Sequence, residues 1–311
     1  MIDLHTHTFC SDGADSPETL LKNADKLGLE AFSITDHNTV AAYRTPAVQN
    51  WRQLYGGRLI PGIEITCMLD GEVVEVLGYG YDLAAMEREL AGHVLPFAEK
   101  QRREFELITV ALQKAGLTFD PAQVVFDPAR ESCRKSLLAE LNRCADNRRF
   151  FGGEKSWQSS RAFARQEIYN PQSRLYVDES PLYPSVKTAV GMIHAAGGIA
   201  FWAHLHEYAH AADYRAHLDT LVPAFGLDGM EAAHSCYSPA QIQDLEGYCN
   251  AHDLLCSGGS DYHGARKPDI ALGVGRGQLA IPLRYLERWP HSVLTAAAQF
   301  DAGKTPGAGQ K

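Results

Sequence analysis

Short apolar runs alternate with helical patterns along the first third of the chain. Four of these runs have the length and composition of buried strands: residues 2–4, 31–34, 59–65 and 73–79. After the first run, Ser16 and Pro17 predict the start of a helix, because serine caps a helix and proline suits its first position. We expect a second helix from about Thr39 to Tyr55.

The pattern changes between residues 82 and 181, where the sequence is helical and charged. Leu90 to Gly116 predicts one long helix or two, and Arg134 to Cys144 predicts another. The alternation then resumes, with strands expected at 199–203, 228–232 and 254–257 and helices at 184–196, 213–224 and 239–253. Seven strands alternating with helices indicate a parallel α/β layout, interrupted by a helical insertion of roughly 100 residues.

Histidine and acidic residues recur at or just beyond the end of every predicted strand. They are His5, His7, Asp12, Asp36, His37, Glu64, Glu75, His204, His206, Glu231, His234, Asp261 and His263. In a barrel of parallel strands these ends converge on one mouth, where such enzymes keep their active sites. We therefore predict a barrel from residues 1–81 and 182–288, an inserted helical cap at 82–181, and a frayed C-terminal tail at 289–311.

The spacing and number of these residues predict bound metal. Residues i and i+2 of an extended segment point the same way, so His5 and His7 can reach one ion together. Imidazole combined with carboxylate suits Zn²⁺, Mn²⁺ or Fe²⁺. The set is too large for one tetrahedral site, so we expect two or three divalent ions, with Glu64 able to bridge two.

Composition and charge restrict the partners. The 311 residues are 45% hydrophobic and 22% charged, which is typical of a globular protein. The net charge of −9 argues against a general nucleic-acid binder, since these proteins carry a basic face. Bound metal ions would still allow a small anionic substrate. We expect short substrates and no long duplex, unless the insertion carries a basic stripe.

The cysteines and the apolar runs indicate the compartment. The seven cysteines are widely spread without a Cys-x-x-Cys pair, which is not a disulfide framework. The N-terminus has no signal-peptide pattern, and no apolar run approaches the roughly 18 residues that span a membrane. These features predict a cytoplasmic protein without membrane association, and they leave its oligomeric state open.

Six short motifs resemble those of the PHP (polymerase and histidinol phosphatase) superfamily. They are DLHTHT at 3–8, SDG at 11–13, ITDH at 34–37, PGIE at 61–64, AH at 203–204 and GSDYH at 259–263. The resemblance implies a distorted (β/α)7 barrel with a trinuclear metal site and phosphoesterase activity. The chain is most similar to bacterial nucleotide phosphatases and 5′-to-3′ RNA-trimming enzymes, which carry a helical insertion at the same place.

The resemblance also implies roles for individual residues. One ion would be held by His5, His7, Glu64 and Asp261, a second by Asp12, His37 and His263, and a third by His204 with the bridging Glu64. Glu75 stands where much of the family has a histidine, so it implies either a harder metal or weak occupancy of the third site. Arg134, at the head of a helix in the insertion, stands where the family binds the substrate phosphate, and Arg102 and Arg103 are further candidates.

We expect these residues to hydrolyse a phosphomonoester or phosphodiester of a small nucleotide-like substrate, with a metal-bound hydroxide as the nucleophile. His206 or His234 would protonate the leaving group, and Asp36 would orient His37 or a neighbouring ligand. Two alternatives stay open. One is a histidinol-phosphate phosphatase, and the other is a non-catalytic PHP module that serves as a structural or polymerase-associated domain.

Overall fold

The computed structural model describes residues 1–300 and has a mixed α/β fold. The chain divides into two compact units. The first contains residues 1–67, 74–92 and those from 186 onwards, and the second contains residues 68–73 and 93–185. The second unit is mainly helical.

Eight strands form two sheets within residues 1–300. They are β1 (Ile2–Asp3), β2 (Ala31–Phe32), β3 (Arg58–Leu59), β4 (Gly62–Leu69), β5 (Glu72–Tyr79), β6 (Ile199–Trp202), β7 (Gly229–His234) and β8 (Leu255–Gly259). Strands β1, β2 and β3 form a parallel sheet in that order. Strands β4 to β8 form the second sheet, in which β6, β7 and β8 are parallel.

The sheets depart from the single parallel sheet that the sequence predicts. The predicted strand at 59–65 is divided at Pro61, which has no N–H group to donate to a sheet. Strands β4 and β5 form a hairpin through Asp70 and Gly71, whose φ angles are 49° and 84°. Strand β5 therefore pairs antiparallel with β6.

Backbone contacts join the edges of the two sheets. Thr6 forms a parallel bridge with Tyr262, and His37 forms one with Glu64. The Leu4 amide also donates to the carbonyl of Gly258, at 3.1 Å. The first strand is therefore held beside the last, and the residues that follow both strands come together.

Twelve α-helices lie within the described part of the chain. They are α1 (Pro17–Lys26), α2 (Pro46–Gln49), α3 (Leu83–His93), α4 (Phe97–Ala115), α5 (Cys133–Leu141), α6 (Glu154–Gln158), α7 (Ser160–Phe163), α8 (Val186–Ala195), α9 (Ala211–Ala216), α10 (Leu218–Phe225), α11 (Pro239–Ala251) and α12 (His291–Leu294). Among residues 1–300, no helix combines the length and apolar character that a membrane span requires.

Local sequence signals succeed for one predicted helix near the N-terminus and fail for the next. The hydroxyl of Ser16 accepts the Thr19 amide at 3.0 Å, so the predicted start of α1 is confirmed. The prediction of one helix from Thr39 to Tyr55 is wrong. Pro46 starts a new turn, and only short 3₁₀ segments flank α2, because proline cannot continue the preceding helical hydrogen bonds.

The prediction that the chain frays from Trp289 is also wrong for residues 289–300. The Trp289 indole donates to the carbonyl of Cys256 at 3.0 Å, and its ring centroid lies 5.1 Å from that of Tyr79. Phe300 stacks on Tyr43 at 5.5 Å. Burial of these aromatic rings holds the segment on the first unit. The rest of the predicted tail, 301–311, lies outside the described residues.

The second unit has an apolar core of its own. Its buried members come from α4, α5, α7 and the segments around them: Ile108, Leu112, Leu117, Cys133, Leu137, Leu138, Leu141, Phe150, Phe163, Ile168, Leu175 and Val177. The helical pattern predicted from Leu90 to Gly116 is divided by Pro96 into the end of α3 and the whole of α4. A π-helical turn, Ala164–Ile168, follows α7 directly.

Candidate metal site

Histidines and acids from both sheets of the first unit converge at the ends of their strands. His5 and His7 follow β1, His37 follows β2, His204 follows β6, and Asp261 and His263 follow β8, while Glu64 and Glu75 project from β4 and β5 and His234 ends β7. The structure thus brings together the residues that the sequence predicts as ligands. Asp12, on the loop after β1, joins them from a more exposed position.

Glu64 lies at the centre of this cluster. Its Oε2 atom is 3.2 Å from Nε2 of His5, 3.2 Å from Nε2 of His7 and 3.1 Å from Nδ1 of His37. Its other oxygen, Oε1, is 2.9 Å from Nε2 of His204. The side chain is 1% exposed. One carboxylate therefore faces four imidazoles, as a bridging ligand must.

Several groups of ligand atoms have the separations that a metal ion requires, and three of these groups consist entirely of predicted ligands. Within each group the atoms lie within 4.8 Å of one another: His7, Asp12, His37 and His263; His5, His7 and Asp261; and His5, Glu64 and His204. These groups closely match the three that the family resemblance implies. They differ in three respects: His7 also joins the group around Asp12, His5 also joins Glu64 and His204, and Glu64 is not in the group with Asp261.

Glu75 also faces the cluster. Its carboxylate oxygens are 3.2 Å from Nδ1 of His37 and 3.1 Å from Nε2 of His204. The carboxylate thus lies where the family's usual histidine is expected, between two candidate ligands. This position supports the prediction that Glu75 is a metal ligand, because its side chain points towards the other candidate ligands and not away from them.

Two of the candidate ligands have unusual backbone conformations. His204 and Asp261 have φ angles of 23° and 57°, although neither is glycine. Positive φ is costly for residues with a side chain, and such strain persists where the surrounding structure enforces it, often at functional sites.

The charges in the cluster depend on each other. Burial alone would raise the pKa of Glu64, but His5 and His37 lower it well below its usual value. Burial alone would lower the pKa of His7, yet Asp261 and Glu64 raise it to about 9. The carboxylate of Glu64 therefore favours the protonated form of His7. A divalent cation would replace that proton, because metal binding requires neutral imidazole.

Several buried polar atoms in the cluster have no hydrogen-bond partner among residues 1–300. They are Nε2 of His5, both ring nitrogens of His7, Nδ1 of His37, Oε2 of Glu64, Nδ1 of His204 and Nε2 of His234. Buried polar atoms are otherwise nearly always hydrogen-bonded. The donor set of imidazole nitrogens and carboxylate oxygens fits Mn²⁺, Zn²⁺ or Fe²⁺.

Glu231, which the sequence placed on a strand without a role, supports two of the candidate ligands. Its Oε1 is 2.8 Å from Nδ1 of His5, and its Oε2 accepts the backbone N–H of His204 at 2.7 Å. The first contact leaves Nε2 of His5 directed at Glu64. The sequence feature that could have revealed this role is an acidic residue within the apolar strand β7, in which Glu231 is completely buried.

The sequence analysis gave no role to two further polar residues near the candidate ligands. The ammonium group of Lys267 forms an ion pair with Oδ2 of Asp261, beside the candidate ligands. Asp3 is fully buried and accepts the Ser260 amide at 2.9 Å and the Gly273 amide at 2.7 Å. Asp3 thereby ties β1 to the loop that carries Asp261.

The predicted acid–base residues lie in three different surroundings. Asp36 accepts the Thr8 amide at 2.7 Å and the Ser11 hydroxyl at 2.5 Å, so it orders the loop that leads to Asp12 rather than the ring of His37. His234 is buried, and its Nε2 is 3.7 Å from Oδ2 of Asp261. His206 is half-buried against the ring of Tyr237, at 4.9 Å, and none of the three ligand groups includes it.

The predicted phosphate-binding arginines belong to the second unit. Arg134 lies at the head of α5, as predicted, where it forms an ion pair with the fully buried Glu104. Its guanidinium lies 4.8 Å above the ring of Tyr169. Arg103 is exposed on α4 and pairs with Glu99 at 2.8 Å, as Arg102 does at 3.6 Å.

Comparison with known proteins agrees with this site. Residues 3–140 match the family model of the PHP domain. The chain is 28% identical over 270 residues to a 5′-3′ exoribonuclease of Haemophilus influenzae, covering 84% of this chain and 89% of that protein. It is 26% identical over 262 residues to a 3′,5′-nucleoside bisphosphate phosphatase of Chromobacterium violaceum, covering 84% and 87%.

A solved structure supports the same relationship. A protein of Bifidobacterium adolescentis, assigned as a metal-dependent phosphoesterase, superposes with a TM-score of 0.60 at 25% identity, covering 94% of this chain and 95% of that one. Together the comparisons confirm the resemblance that the motifs predict. Residues 3–140 are thus similar to the PHP domain, and the chain is similar over most of its length to proteins named as phosphoester hydrolases.

Proposed function

We propose that this protein is a metal-dependent phosphoesterase that hydrolyses a phosphomonoester or phosphodiester of a small, nucleotide-like substrate. The observation that carries the proposal is the convergence of four imidazoles on the buried carboxylate of Glu64, within 3.2 Å. The names of the relatives, an exoribonuclease and a nucleoside bisphosphate phosphatase, support the substrate class.

Nine side chains are the proposed metal ligands. They are His5, His7, Asp12, His37, Glu64, Glu75, His204, Asp261 and His263. Two or three ions of Mn²⁺, Zn²⁺ or Fe²⁺ would activate water and neutralise the charge that develops on the phosphoryl group. The unpartnered buried atoms of His5, His7 and Glu64 support this composition of the site.

The chain's own groups have separate tasks in this proposal. Glu231 holds the ring of His5, and Asp36 orders the loop that carries Asp12. His234 is the better placed of the two proposed proton donors. Its Nδ1 accepts the Cys236 amide at 3.3 Å, which leaves the hydrogen on Nε2, within the cluster.

Three broader predictions belong to the same proposal. The bridges between the two sheets support a distorted (β/α)7 barrel in residues 1–81 and 182–288. The inserted helical region, 82–181, is proposed as a cap that contributes Arg134 and Arg103 to the substrate phosphate. The cytoplasmic location stays a prediction from the sequence.

The test is the release of inorganic phosphate or of nucleoside monophosphate from a panel of substrates after the chelated protein is reloaded with Mn²⁺, Zn²⁺ or Fe²⁺. The panel contains a 3′,5′-bisphosphonucleoside, a 5′-phosphorylated dinucleotide and histidinol phosphate. We expect turnover of the nucleotides, and we expect His5→Ala to reduce it at least about 100-fold. The exposed His291 provides the matched control, and His291→Ala should behave like the wild type.

Two other results of this experiment would favour the two alternative functions. A strong preference for histidinol phosphate would favour the histidinol-phosphate phosphatase. A wild-type protein that binds no metal and releases no phosphate would favour the non-catalytic module.

A further inference from the structure

The charge of the chain is distributed unevenly. Residues 130–174 contain ten Lys or Arg residues and only five Asp or Glu residues, although the whole chain has a net charge of −9. All of this basic segment belongs to the second unit. The overall charge therefore conceals a region that attracts anions.

The basic segment lines a cavity of about 390 Å³. The cavity lies between the start of α5 and the consecutive α7 and π-helical turn. Its lining includes Arg134, Lys135, Arg161, Arg165 and Tyr169, together with one acid, Glu131. Four cationic side chains thus face one concave surface.

Three of the four cations have exposed side chains and no acidic partner in the described part of the chain. These are Lys135, Arg161 and Arg165. Arg161 and Arg165 are also four residues apart, and like charges at this spacing repel each other on a helix. These three side chains are therefore available to pair with an anion in the cavity.

The fourth cation gives the cavity a fixed wall. Arg134 is held by the ion pair with buried Glu104 and by the ring of Tyr169. Glu104 is fixed in turn by Gln101, whose amide donates to Oε2 at 2.9 Å. The π-helical turn, closed by the Tyr169 amide and the Ala164 carbonyl at 2.8 Å, contains Arg165 and ends beside Tyr169, so it contributes both residues to the lining. Such turns are common at functional sites.

We propose that this cavity binds consecutive phosphates of a single-stranded oligonucleotide through Lys135, Arg161 and Arg165. The inference rests on the proposed function and specifies its substrate as a chain of nucleotides. Lys135, Arg161 and Arg165 carry three positive charges and Glu131 one negative charge, while Glu104 neutralises Arg134, and the resulting charge of +2 matches two adjacent phosphodiester groups of −1 each. A basic groove with an aromatic wall suits a single strand, whose backbone can enter a small cavity as a duplex cannot.

Binding is measured by fluorescence anisotropy with a 3′-labelled RNA decamer, in excess EDTA so that no turnover occurs. We expect Arg161→Ala/Arg165→Ala to weaken binding at least about tenfold at 0.1 M salt. The slope of log K against log salt should fall by about 1.4, because each lost phosphate contact on a single strand contributes about 0.7.

The matched control removes two charges from the same unit outside the cavity. Lys114 and Arg143 are exposed and do not line it, so Lys114→Ala/Arg143→Ala should bind the decamer like the wild type. Circular dichroism and thermal unfolding establish that both double variants are folded. Competition with an unlabelled 3′,5′-bisphosphonucleoside distinguishes a chain of phosphates from a single nucleotide.

Two results would overturn the inference. One is equal binding by the cavity variant and the control variant, and the other is competition by the mononucleotide at the same concentration as by the decamer. Neither result affects the proposed hydrolysis, which is measured separately with metal and mononucleotide substrates. Conversely, decamer binding without any phosphate release by the metal-loaded protein would contradict only the proposed function.

Discussion

Several histidines of the candidate site have one ring nitrogen fixed by a second group. Nδ1 of His5 faces Glu231 at 2.8 Å, Nδ1 of His263 faces the carbonyl of Asp261 at 2.8 Å, and Nδ1 of His234 accepts an amide. Fixing one nitrogen decides which way the other points and whether it is free to bind metal.

Glu231→Gln tests this positioning role. The amide has nearly the same shape but lacks the charge that supports His5, so we expect metal affinity to fall by about 10- to 100-fold. Affinity is measured by competition with a chromophoric chelator, and Glu287→Gln, on the exposed surface, is the control. Unchanged affinity in a folded Glu231→Gln variant would contradict the role.

A buried acid in the second unit makes stability depend on pH. Burial, reinforced by Glu104, raises the pKa of Glu179 from 4.5 to about 7, against the opposing effects of Arg134 and Lys100. The folded chain therefore binds this proton more tightly than the unfolded chain. This contribution is complete below pH 4.5 and is lost as the pH rises towards 7.

Glu179→Gln removes the titration. We expect the variant to gain about 2 to 3 kcal/mol of stability relative to the wild type between pH 5 and pH 8. Urea unfolding at the two pH values, with the exposed Glu106→Gln as control, measures the difference. A stability difference between Glu179→Gln and wild type that does not change with pH would be incompatible with this pKa.

At the level of elements, the site depends on the close approach of β8 to His5, which lies two residues beyond the end of β1. A Cβ atom added to Gly259, the last residue of β8, would lie 2.2 Å from Cβ of His5 and 2.4 Å from its backbone nitrogen. Only glycine, which has no Cβ atom, allows the backbone of β8 to lie this close to His5. Gly259 therefore contributes to the position of His5 without touching a ligand atom.

Gly259→Ala should therefore destabilise the protein by about 1 to 3 kcal/mol, the usual cost of overpacking, and weaken metal binding. Gly247 is the control, since it lies inside α11 with no atom within 4 Å of an added Cβ. Gly247→Ala should stabilise the protein by up to about 1 kcal/mol. Thermal unfolding measures the change in stability of each variant. Equal changes for Gly259→Ala and Gly247→Ala would contradict the close contact between Gly259 of β8 and His5.

Sequence reasoning predicted elements where local chemistry decides and failed where proline or tertiary pairing decides. Ser16 and Pro17 fixed the start of α1, but Pro46 broke a helix that the apolar spacing favoured. The Asp70–Gly71 turn reversed β5, and this turned an expected parallel strand into an antiparallel one. Composition alone could not reveal that Trp289 and Phe300 are buried, because their partners are distant in sequence.

At the scale of the whole molecule, the sequence could predict that the metal ligands converge. It could not predict which residues hydrogen-bond to those ligands and hold them in place. The recurrence of His and acidic residues after successive strands is visible in one dimension. The contact between His5 and Glu231 joins residues 226 positions apart, and only the fold brings them together. The same holds for the basic cavity, because Arg134 and Arg161 come from different helices.

The central claim is that the cluster around Glu64 holds the metal ions that hydrolyse a phosphoester. The most direct measurement is the metal content per chain after reloading and dialysis, with the release of phosphate and of nucleoside monophosphate followed on the same samples. We predict two to three ions in the wild type and in Glu287→Gln. Glu64→Gln should lose at least one ion and about 100-fold or more of the activity. A wild type without bound metal, or a Glu64→Gln variant with full metal content and full activity, would contradict the account.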